Sequence, residues 1–267
     1  MKKKIFRIVS AVVLIYVLYF GILYFFQNYF LFSPGGKYIN PGKSGDGIFK
    51  EIVVSAYDGT PLMSWYFEGD KDKPLILFFH GNTGQIARFA PAMKEITKAG
   101  YSIAMVEYRG FGNTKGKISQ DIAFLDAASL YNFYKTKTGK KIVLYGYSFG
   151  CAFAMGLTQY VNPDGIILTA PFASLYREIR EYPVPWAYFV LKDKYPSDEY
   201  IKNIKCPILI IHGLDDKLID CAHSFALAEL APVSDKNLVV MEGVNHHDIY
   251  FKELNVPSIL DWLKKYN

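Results

Sequence analysis

One serine in the sequence has neighbours that are typical of a catalytic nucleophile. The pentad G-Y-S-F-G at residues 146–150 is centred on Ser148 and directly follows an apolar run. A G-x-S-x-G pattern between a strand and a helix holds the serine hydroxyl on a tight turn above the edge of a sheet. Glycines let the neighbouring backbone pass without a Cβ clash. The pentad therefore predicts nucleophilic catalysis at Ser148.

A serine hydroxyl is a poor nucleophile and needs a base, which a carboxylate usually orients. His246 and His247 follow the last apolar run of the chain, and Asp215 and Asp216 follow the run before it. Histidine can accept the serine proton and return it to the leaving group. The residues alone leave open which aspartate and which histidine would act.

Acyl transfer also needs backbone donors for the anionic tetrahedral intermediate. We expect one from the N–H of Phe149 and a second from the N–H of Asn82, which follows a predicted strand. His80 and His212 are expected to hold loops by hydrogen bonds. Arg109 is expected to form a structural ion pair or to contact carbonyl groups rather than bind an anionic substrate.

The elements that must position these residues are indicated by hydrophobic patterns. Predicted strands lie at residues 52–54, 62–67, 75–79, 102–106, 142–145, 166–168, 208–211 and 238–241. Predicted helices lie at residues 86–98, 118–134, 149–160, 222–230 and 258–265. This alternation predicts an α/β fold with a mostly parallel central sheet and helices on both faces. In such a sheet, active residues gather at the carboxyl ends of the strands.

The N-terminal segment has the character of a membrane anchor. Residues 8–32 carry no charge, and about 20 apolar residues in a helix span a bilayer core. No small-x-small cleavage site follows, so an uncleaved signal anchor is favoured over a signal peptide or a buried core helix. The basic residues lie before this run, at residues 2–4 and 7, so the N-terminus is expected in the cytoplasm and the catalytic domain on the other side.

The predicted organisation has three parts. Residues 1–32 form the cytoplasmic tip and transmembrane anchor, residues 33–47 a connector, and residues 48–267 the catalytic domain. A short cap is expected at about residues 172–203. Its aromatic and proline residues, which would line an acyl pocket or lie near the lipid surface, are Tyr176, Tyr182, Pro183, Pro185, Trp186, Tyr188, Phe189 and Tyr195.

Composition excludes several classes of partner. The formal net charge is +5, four of these charges lie within the first seven residues, and no basic stripe indicates nucleic-acid binding. Cys151, Cys206 and Cys221 are too few for a disulfide framework, and no Cys/His spacing indicates a metal site. We expect no cofactor and no metal, and assign no role to His223. The oligomeric state stays open.

With these motifs, nearly the whole chain resembles the α/β-hydrolase superfamily, and within it the Bem46-like (ABHD13/ABHD17-like) branch of membrane-anchored serine hydrolases. The motifs that carry the resemblance lie at residues 80–84, 108–112, 146–150, 170–174, 212–216 and 243–248. The family pattern H-G-x-x-D implies that Asp216 is the acid. The pattern G-x-x-H-N-D implies that His246 is the base, although His247 stands where the family usually has Asn. Haloalkane dehalogenases share the H-G-N motif, but their nucleophile is an aspartate, and Ser148 argues against that reaction.

Three hypotheses for function remain. The first is a membrane-anchored serine hydrolase of carboxylic esters or thioesters, acting through a Ser-Asp-His triad and an acyl-enzyme on a lipid-like or small acyl substrate. The second is a peptidase or amidase of the same fold. The third is a catalytically idle hydrolase scaffold that acts as a membrane binding protein. The complete set of three triad residues argues against the third hypothesis.

Overall fold

A computed structural model describes residues 2–43, 47–181 and 184–266 of the chain, and it is built around one sheet. The strands are β1 (Lys50–Ser55), β2 (Pro61–Phe67), β3 (Leu75–Phe79), β4 (Ser102–Val106), β5 (Ile142–Tyr147), β6 (Gly165–Thr169), β7 (Ile208–Gly213) and β8 (Lys236–Met241). The eight strands have the order β1-β2-β4-β3-β5-β6-β7-β8. β2 pairs antiparallel with β1 and β4, and all other pairs are parallel.

Helices connect these strands. The α-helices are α1 (Lys2–Leu31), α2 (Ala90–Lys98), α3 (Gln120–Thr138), α4 (Phe149–Leu157), α5 (Leu175–Glu181), α6 (Ser197–Tyr200), α7 (Ala222–Leu230), α8 (Asp248–Phe251) and α9 (Val256–Leu263). Short 3₁₀ turns lie at Pro41–Lys43, Ile86–Arg88, Ala187–Val190, Ile201–Asn203 and Lys264–Tyr266. By length and composition, α1 can cross a membrane.

Two apolar cores cover the two faces of the sheet. Successive side chains of a strand point to opposite faces, so in β3 Leu77 belongs to one core and Phe78 to the other. The first core is completed by α3, α4 and α7, and the second by α2 and α9. Because both faces are covered, the central strands are continuously apolar. The predicted α/β architecture is confirmed, and its polar loops are left at the carboxyl edge of the sheet.

Several element boundaries differ from the prediction for local reasons. β3, β4 and α7 have the predicted bounds, whereas the predicted helix 86–98 is a 3₁₀ turn followed by α2. Pro91 lies in the first turn of α2, where proline is tolerated, and it cannot continue a preceding helix. α3 begins after Ser119, whose hydroxyl accepts a hydrogen bond from Ile122 N–H, and ends before Gly139 in the left-handed region.

The predicted connector and cap contain more structure than the sequence patterns indicated. At the end of α1, Phe32 is buried against the ring of Phe149, with 4.9 Å between centroids. Ser33 then forms a β-bridge with Thr83, so the predicted connector contacts the loop after β3 from its first residue. The cap region contains α5, α6 and a 3₁₀ turn between them. Residues 44–46 of the connector, and Tyr182 and Pro183 of the cap, lie outside the described residues.

Candidate active site

The backbone at Ser148 adopts a conformation that is costly for any residue with a side chain. Ser148 lies between β5 and α4 with φ 53° and ψ −120°, far from the favoured regions. Its N–H donates to the Thr169 carbonyl at 2.8 Å, which ties the turn to β6. A Cβ on Gly150 would overlap the backbone of Phe79, and one on Gly146 would overlap Cys151. The glycines of the pentad are therefore required by close packing of α4 on the sheet.

The predicted base and acid form a chain of two hydrogen bonds with this serine. The Ser148 hydroxyl lies 2.9 Å from His246 Nε2, and His246 Nδ1 lies 2.6 Å from Asp216 Oδ2. Asp216 follows β7 and His246 follows β8, and all three residues are buried. His247 is exposed, and among the described hydrogen bonds its ring contacts neither Ser148 nor Asp216. The pattern fits a neutral imidazole that donates from Nδ1 to the carboxylate and accepts from the serine at Nε2.

Asp216 is held by more hydrogen bonds than its contact with His246. Its Oδ1 accepts from the N–H groups of Leu218 and Ile219 at 2.8 and 2.9 Å. Its Oδ2 also accepts from His212 Nε2 at 3.1 Å. Burial by itself raises the pKa of Asp216, but hydrogen bonds from His212 and His246 outweigh it and hold the pKa well below the usual range. The carboxyl is therefore a fixed carboxylate at neutral pH.

His212 orients the acid, which the sequence did not indicate beyond a role in holding loops. Its Nδ1 lies 2.6 Å from the Ser224 hydroxyl, and its Nε2 lies near two acceptors, Asp216 and the Ile219 carbonyl. Two acceptors at Nε2 require the proton there, so the serine hydroxyl donates to Nδ1. The ring is thereby locked between β7 and α7. The sequence signal that would have found this contact is a histidine that directly follows an apolar run, four residues before the acid.

The predicted oxyanion donors belong to two segments next to Ser148. Phe149 is the first residue of α4, and the first N–H groups of a helix have no acceptor within it. Asn82 lies in the loop after β3, and a Cβ on the adjacent Gly81 would be 3.6 Å from the Ser148 Cβ. Asn82 is fixed by the end of α1: its side chain donates to Leu31 O at 2.7 Å, and its carbonyl accepts from Ser33 N–H at 2.9 Å.

Three further residues that the motifs singled out have structural partners. His80 Nδ1 donates to Gly81 O at 2.7 Å, and its Nε2 faces Glu107 Oε1 at 3.2 Å. Arg109 forms ion pairs with Asp126 and Asp58 at 2.7 and 2.8 Å, in line with a structural role. The Tyr147 hydroxyl donates to the carbonyl of His246 at 3.1 Å and so supports the loop of the base.

An apolar cavity of about 470 Å³ opens beside Ser148, within the size range of small-molecule sites. Its walls come from three places: the end of α1, the cap, and the loop after Asp216. The lining residues are Leu23, Gln27, Phe30, Leu31, Asn82, Ser148, Leu175, Glu178, Ile179, Val184, Ala187, Val190, Leu191, Leu218 and Ile219. The cavity beside Ser148 thus resembles a site for a hydrocarbon chain.

A polar cluster lies at the edge of this cavity. Within the described residues, Glu178, Glu181 and His223 place potential metal-ligand atoms within 4.8 Å of one another. Burial raises the pKa of Glu178 to about 8, and nearby Glu181 and Asp216 add to the rise. His223 Nδ1 accepts from Ala173 N–H at 3.1 Å, which is a structural role that the sequence did not reveal.

Comparison with known proteins agrees with this fold. A family model described as serine aminopeptidase, S33, matches residues 70–197. An uncharacterized protein of Mycobacterium tuberculosis is 30% identical over 219 residues, which cover 79% of this chain and 74% of that protein. The lysophosphatidylserine lipase ABHD12 of Danio rerio is 28% identical over 210 residues, covering 70% of this chain and 53% of the lipase.

Solved structures share the architecture. The Pyrococcus furiosus esterase Pf2001 superposes with a TM-score of 0.69 at 22% identity, covering 87% of this chain and 98% of the esterase. A monoacylglycerol lipase of Paleococcus ferrophilus superposes with a TM-score of 0.60 at 17% identity, over 77% of this chain and 99% of the lipase. The chain belongs to the α/β-hydrolase superfamily. A lysophosphatidylserine lipase is similar to it in sequence, and a solved esterase and a solved monoacylglycerol lipase share its fold. Its membership of the Bem46-like branch stays a prediction.

Proposed function

We propose that the protein is a membrane-anchored serine hydrolase that cleaves carboxylic ester or thioester bonds of lipid-like acyl substrates. The observation that carries this proposal is the sequence of contacts from Ser148 through His246 to Asp216, at 2.9 and 2.6 Å, beside an apolar cavity. The contacts supply a nucleophile, a base and an orienting acid. The cavity supplies a place for the acyl chain.

In the proposed mechanism, Ser148 Oγ attacks the substrate carbonyl carbon while His246 Nε2 accepts the hydroxyl proton. The carbonyl oxygen becomes an oxyanion, which the N–H groups of Phe149 and Asn82 stabilise. Asp216 stays ionised and stabilises the imidazolium. His246 then returns the proton to the leaving alcohol or thiol, which leaves an acyl ester on Ser148. Water, activated by His246, hydrolyses that ester and restores the serine.

The location follows from α1 and its flanking charges. Basic residues at positions 2–4 and 7 precede the uncharged stretch of the helix, and such residues stay on the cytoplasmic side. The catalytic domain, which follows the helix, then lies on the non-cytoplasmic side. The exposed apolar side chains along α1, such as Val13 and Val17, would contact lipid.

A peptidase or amidase is the second candidate, because the matched family model is described as a serine aminopeptidase. The two candidates differ in the part of the substrate that must bind near Ser148. An aminopeptidase would bind a peptide with a charged amine near Ser148, whereas the cavity here is lined mainly by leucine, isoleucine and valine. The apolar lining favours acyl esters.

The experiment is turnover of nitrophenyl esters of rising acyl length by the full-length protein in detergent, beside amino-acid nitroanilides. We expect ester turnover that is absent in Ser148→Ala. Turnover of the anilides alone would transfer the proposal to the peptidase candidate. Absence of any turnover by correctly folded protein would contradict both and leave the idle scaffold.

A further inference from the structure

One face of α1 is part of the cavity beside Ser148. Leu23, Gln27, Phe30 and Leu31 all line it. Their spacing of four, seven and eight residues from Leu23 places them on one side of a helix. Phe26 is exposed and is absent from that lining. The helix that would anchor the protein therefore also contributes a wall to the candidate active site.

Specific polar contacts fix this face against the cap and the catalytic domain. The buried Gln27 accepts at Oε1 from Lys192 N–H at 2.9 Å. Asn28 donates to Ile118 O at 2.7 Å, and the Tyr19 hydroxyl donates to Pro185 O at 2.9 Å. An amide at Gln27 has a backbone partner in the cap, so it sets both the rotation and the height of α1. The wall is therefore a defined surface.

The length of α1 places this wall at the boundary of the bilayer. Its 30 residues are about 45 Å long at 1.5 Å per residue, whereas the hydrocarbon core is about 30 Å thick. If the hydrocarbon core begins after Arg7, the last charged residue of α1, about 20 residues of helix span it. The core then ends near Gln27. Leu23 then lies at the outer edge of the hydrocarbon, and Phe30 and Leu31 lie beyond it.

The cap lies beside α1, and on this placement it extends from the boundary into the hydrocarbon. Val184, Trp186 and Phe189 expose apolar side chains, and the Trp186 ring lies 6.1 Å from the ring of Tyr16. The Lys192 ammonium lies 4.1 Å from the centre of the Tyr24 ring, where a cation can reach the headgroups. Aromatic rings beside a lysine are typical of a membrane interface. The cap and α1 thus meet the bilayer together.

We propose that α1 and the cap form an acyl-binding site that is open to the bilayer, and that a lipid ester enters it sideways from the outer leaflet. This inference rests on the proposed ester hydrolysis. The acyl chain lies between Leu23 and the cap, its ester reaches Ser148, and the alcohol part faces the polar loops around Lys217 and Asn245, which are exposed. The acyl chain therefore stays in an apolar environment as it passes from the bilayer into the site. Leu23 is then a residue that determines chain-length specificity.

The test uses neighbouring residues on α1 as a matched pair. Leu23→Trp fills the cavity, whereas Ile22→Trp adds the same bulk on an exposed position that does not line it. The full-length variants are assayed in phosphatidylcholine nanodiscs with acetyl and dodecanoyl nitrophenyl esters. Each methylene that loses its site costs about fourfold in kcat/KM. We expect Leu23→Trp to lower the ratio of dodecanoyl to acetyl turnover at least tenfold, with no such change in Ile22→Trp.

A second variant keeps the test informative if tryptophan disturbs folding. Leu23→Ala enlarges the cavity and is expected to move the preferred acyl length upward, which raises the turnover of long esters relative to the acetyl ester. An unchanged ratio of dodecanoyl to acetyl turnover in folded Leu23 variants overturns the acyl site on α1, as does an equal change in Ile22→Trp. The proposed function fails on a different result, which is the absence of acetyl and dodecanoyl turnover in the unaltered protein.

Discussion

Ser148 lies between two walls that are built by different forces. On one side is a polar wall, formed by His246, Asp216 and His212, in which each ring or carboxylate is fixed by hydrogen bonds of 2.6–3.1 Å. On the other side is an apolar wall, formed by α1 and the cap, which is defined mainly by packing around a cavity. Hydrogen bonds fix the positions of individual atoms in the polar wall. Packing in the apolar wall defines only the shape and volume of a cavity.

This difference separates the expected effects of substitutions. Interactions that strengthen only in the transition state change kcat, and interactions with the remote part of a substrate change which substrates are used. The polar wall is therefore expected to affect every ester alike. The apolar wall is expected to act on long acyl chains and to leave short ones unaffected. Four predictions test this division, in order of decreasing effect.

The largest effect is expected at the base. His246→Ala should lower kcat for every ester by about 10⁵–10⁶-fold, because the serine proton then has no acceptor. His247→Ala is the matched control, since this exposed neighbour makes no contact with Ser148 or Asp216 among the described hydrogen bonds. It should retain nearly full activity. A larger loss of activity in the His247 variant than in the His246 variant would show that His246 is not the base.

The acid is expected to come next. Asp216→Asn should lower kcat by about 10⁴-fold, because an amide cannot stabilise the imidazolium and favours the wrong tautomer. Asp215→Asn changes the same chemistry on an exposed residue and should have little effect. Steady-state kinetics on short and long esters would show the same loss for both lengths. A loss confined to long esters would break the division between the two walls.

A smaller effect is expected at His212, which positions the acid. His212→Ala should lower kcat by roughly 10–100-fold with KM nearly unchanged, the range seen when a group that orients a functional ligand is removed. His212→Gln, whose amide can still donate to Asp216, should recover part of the loss. If His212 only supports the fold, the glutamine variant would show no recovery in kcat, and the melting temperature would account for the change.

The smallest effect concerns stability and belongs to the apolar wall. The carboxyl of Glu178 has an ordinary pKa of 4.5 and a pKa of about 8 in the folded protein, chiefly through burial. Between these values the folded state binds more protons than the unfolded state, so stability falls as pH rises and the loss is complete above about pH 8. Glu178→Gln removes this dependence.

The measurement for Glu178→Gln is the melting temperature at pH 6 and pH 9. The variant should melt at a higher temperature than the unaltered protein at both pH values, by roughly 2–4 °C for each kcal/mol gained, with a smaller gain at pH 6, where the loss is partial, than at pH 9. Glu181→Gln is the control, because that side chain is about half exposed. An equal gain at both pH values would show that Glu178 does not titrate as described.

The polar wall could be predicted from the sequence, and the apolar wall could not. Ser148, Asp216 and His246 each follow a short apolar strand, and parallel strands bring their carboxyl ends to one edge. Their side chains therefore meet without any knowledge of the loops. Resemblance to a family selected Asp216 over Asp215 and His246 over His247. The structure brings together the residues that were selected.

The apolar wall depends on contacts between distant segments that carry no pattern. α1 is apolar on all sides, so its periodicity does not show which face meets the domain. α5 has seven residues and α6 has four, too few for a helical pattern to be distinguished from a loop. One signal was available: Gln27 and Asn28 are adjacent amides in an otherwise apolar run, and amides in such a run need partners.

The most direct test of the central claim is covalent labelling of the full-length protein with an alkyl fluorophosphonate, followed by peptide mass spectrometry. Such a reagent reacts with a serine that a base has activated. We predict one modified residue, Ser148, with labelling lost in His246→Ala and retained in His247→Ala. Labelling at another residue, or none in the folded protein, would contradict the assignment of Ser148 as the nucleophile.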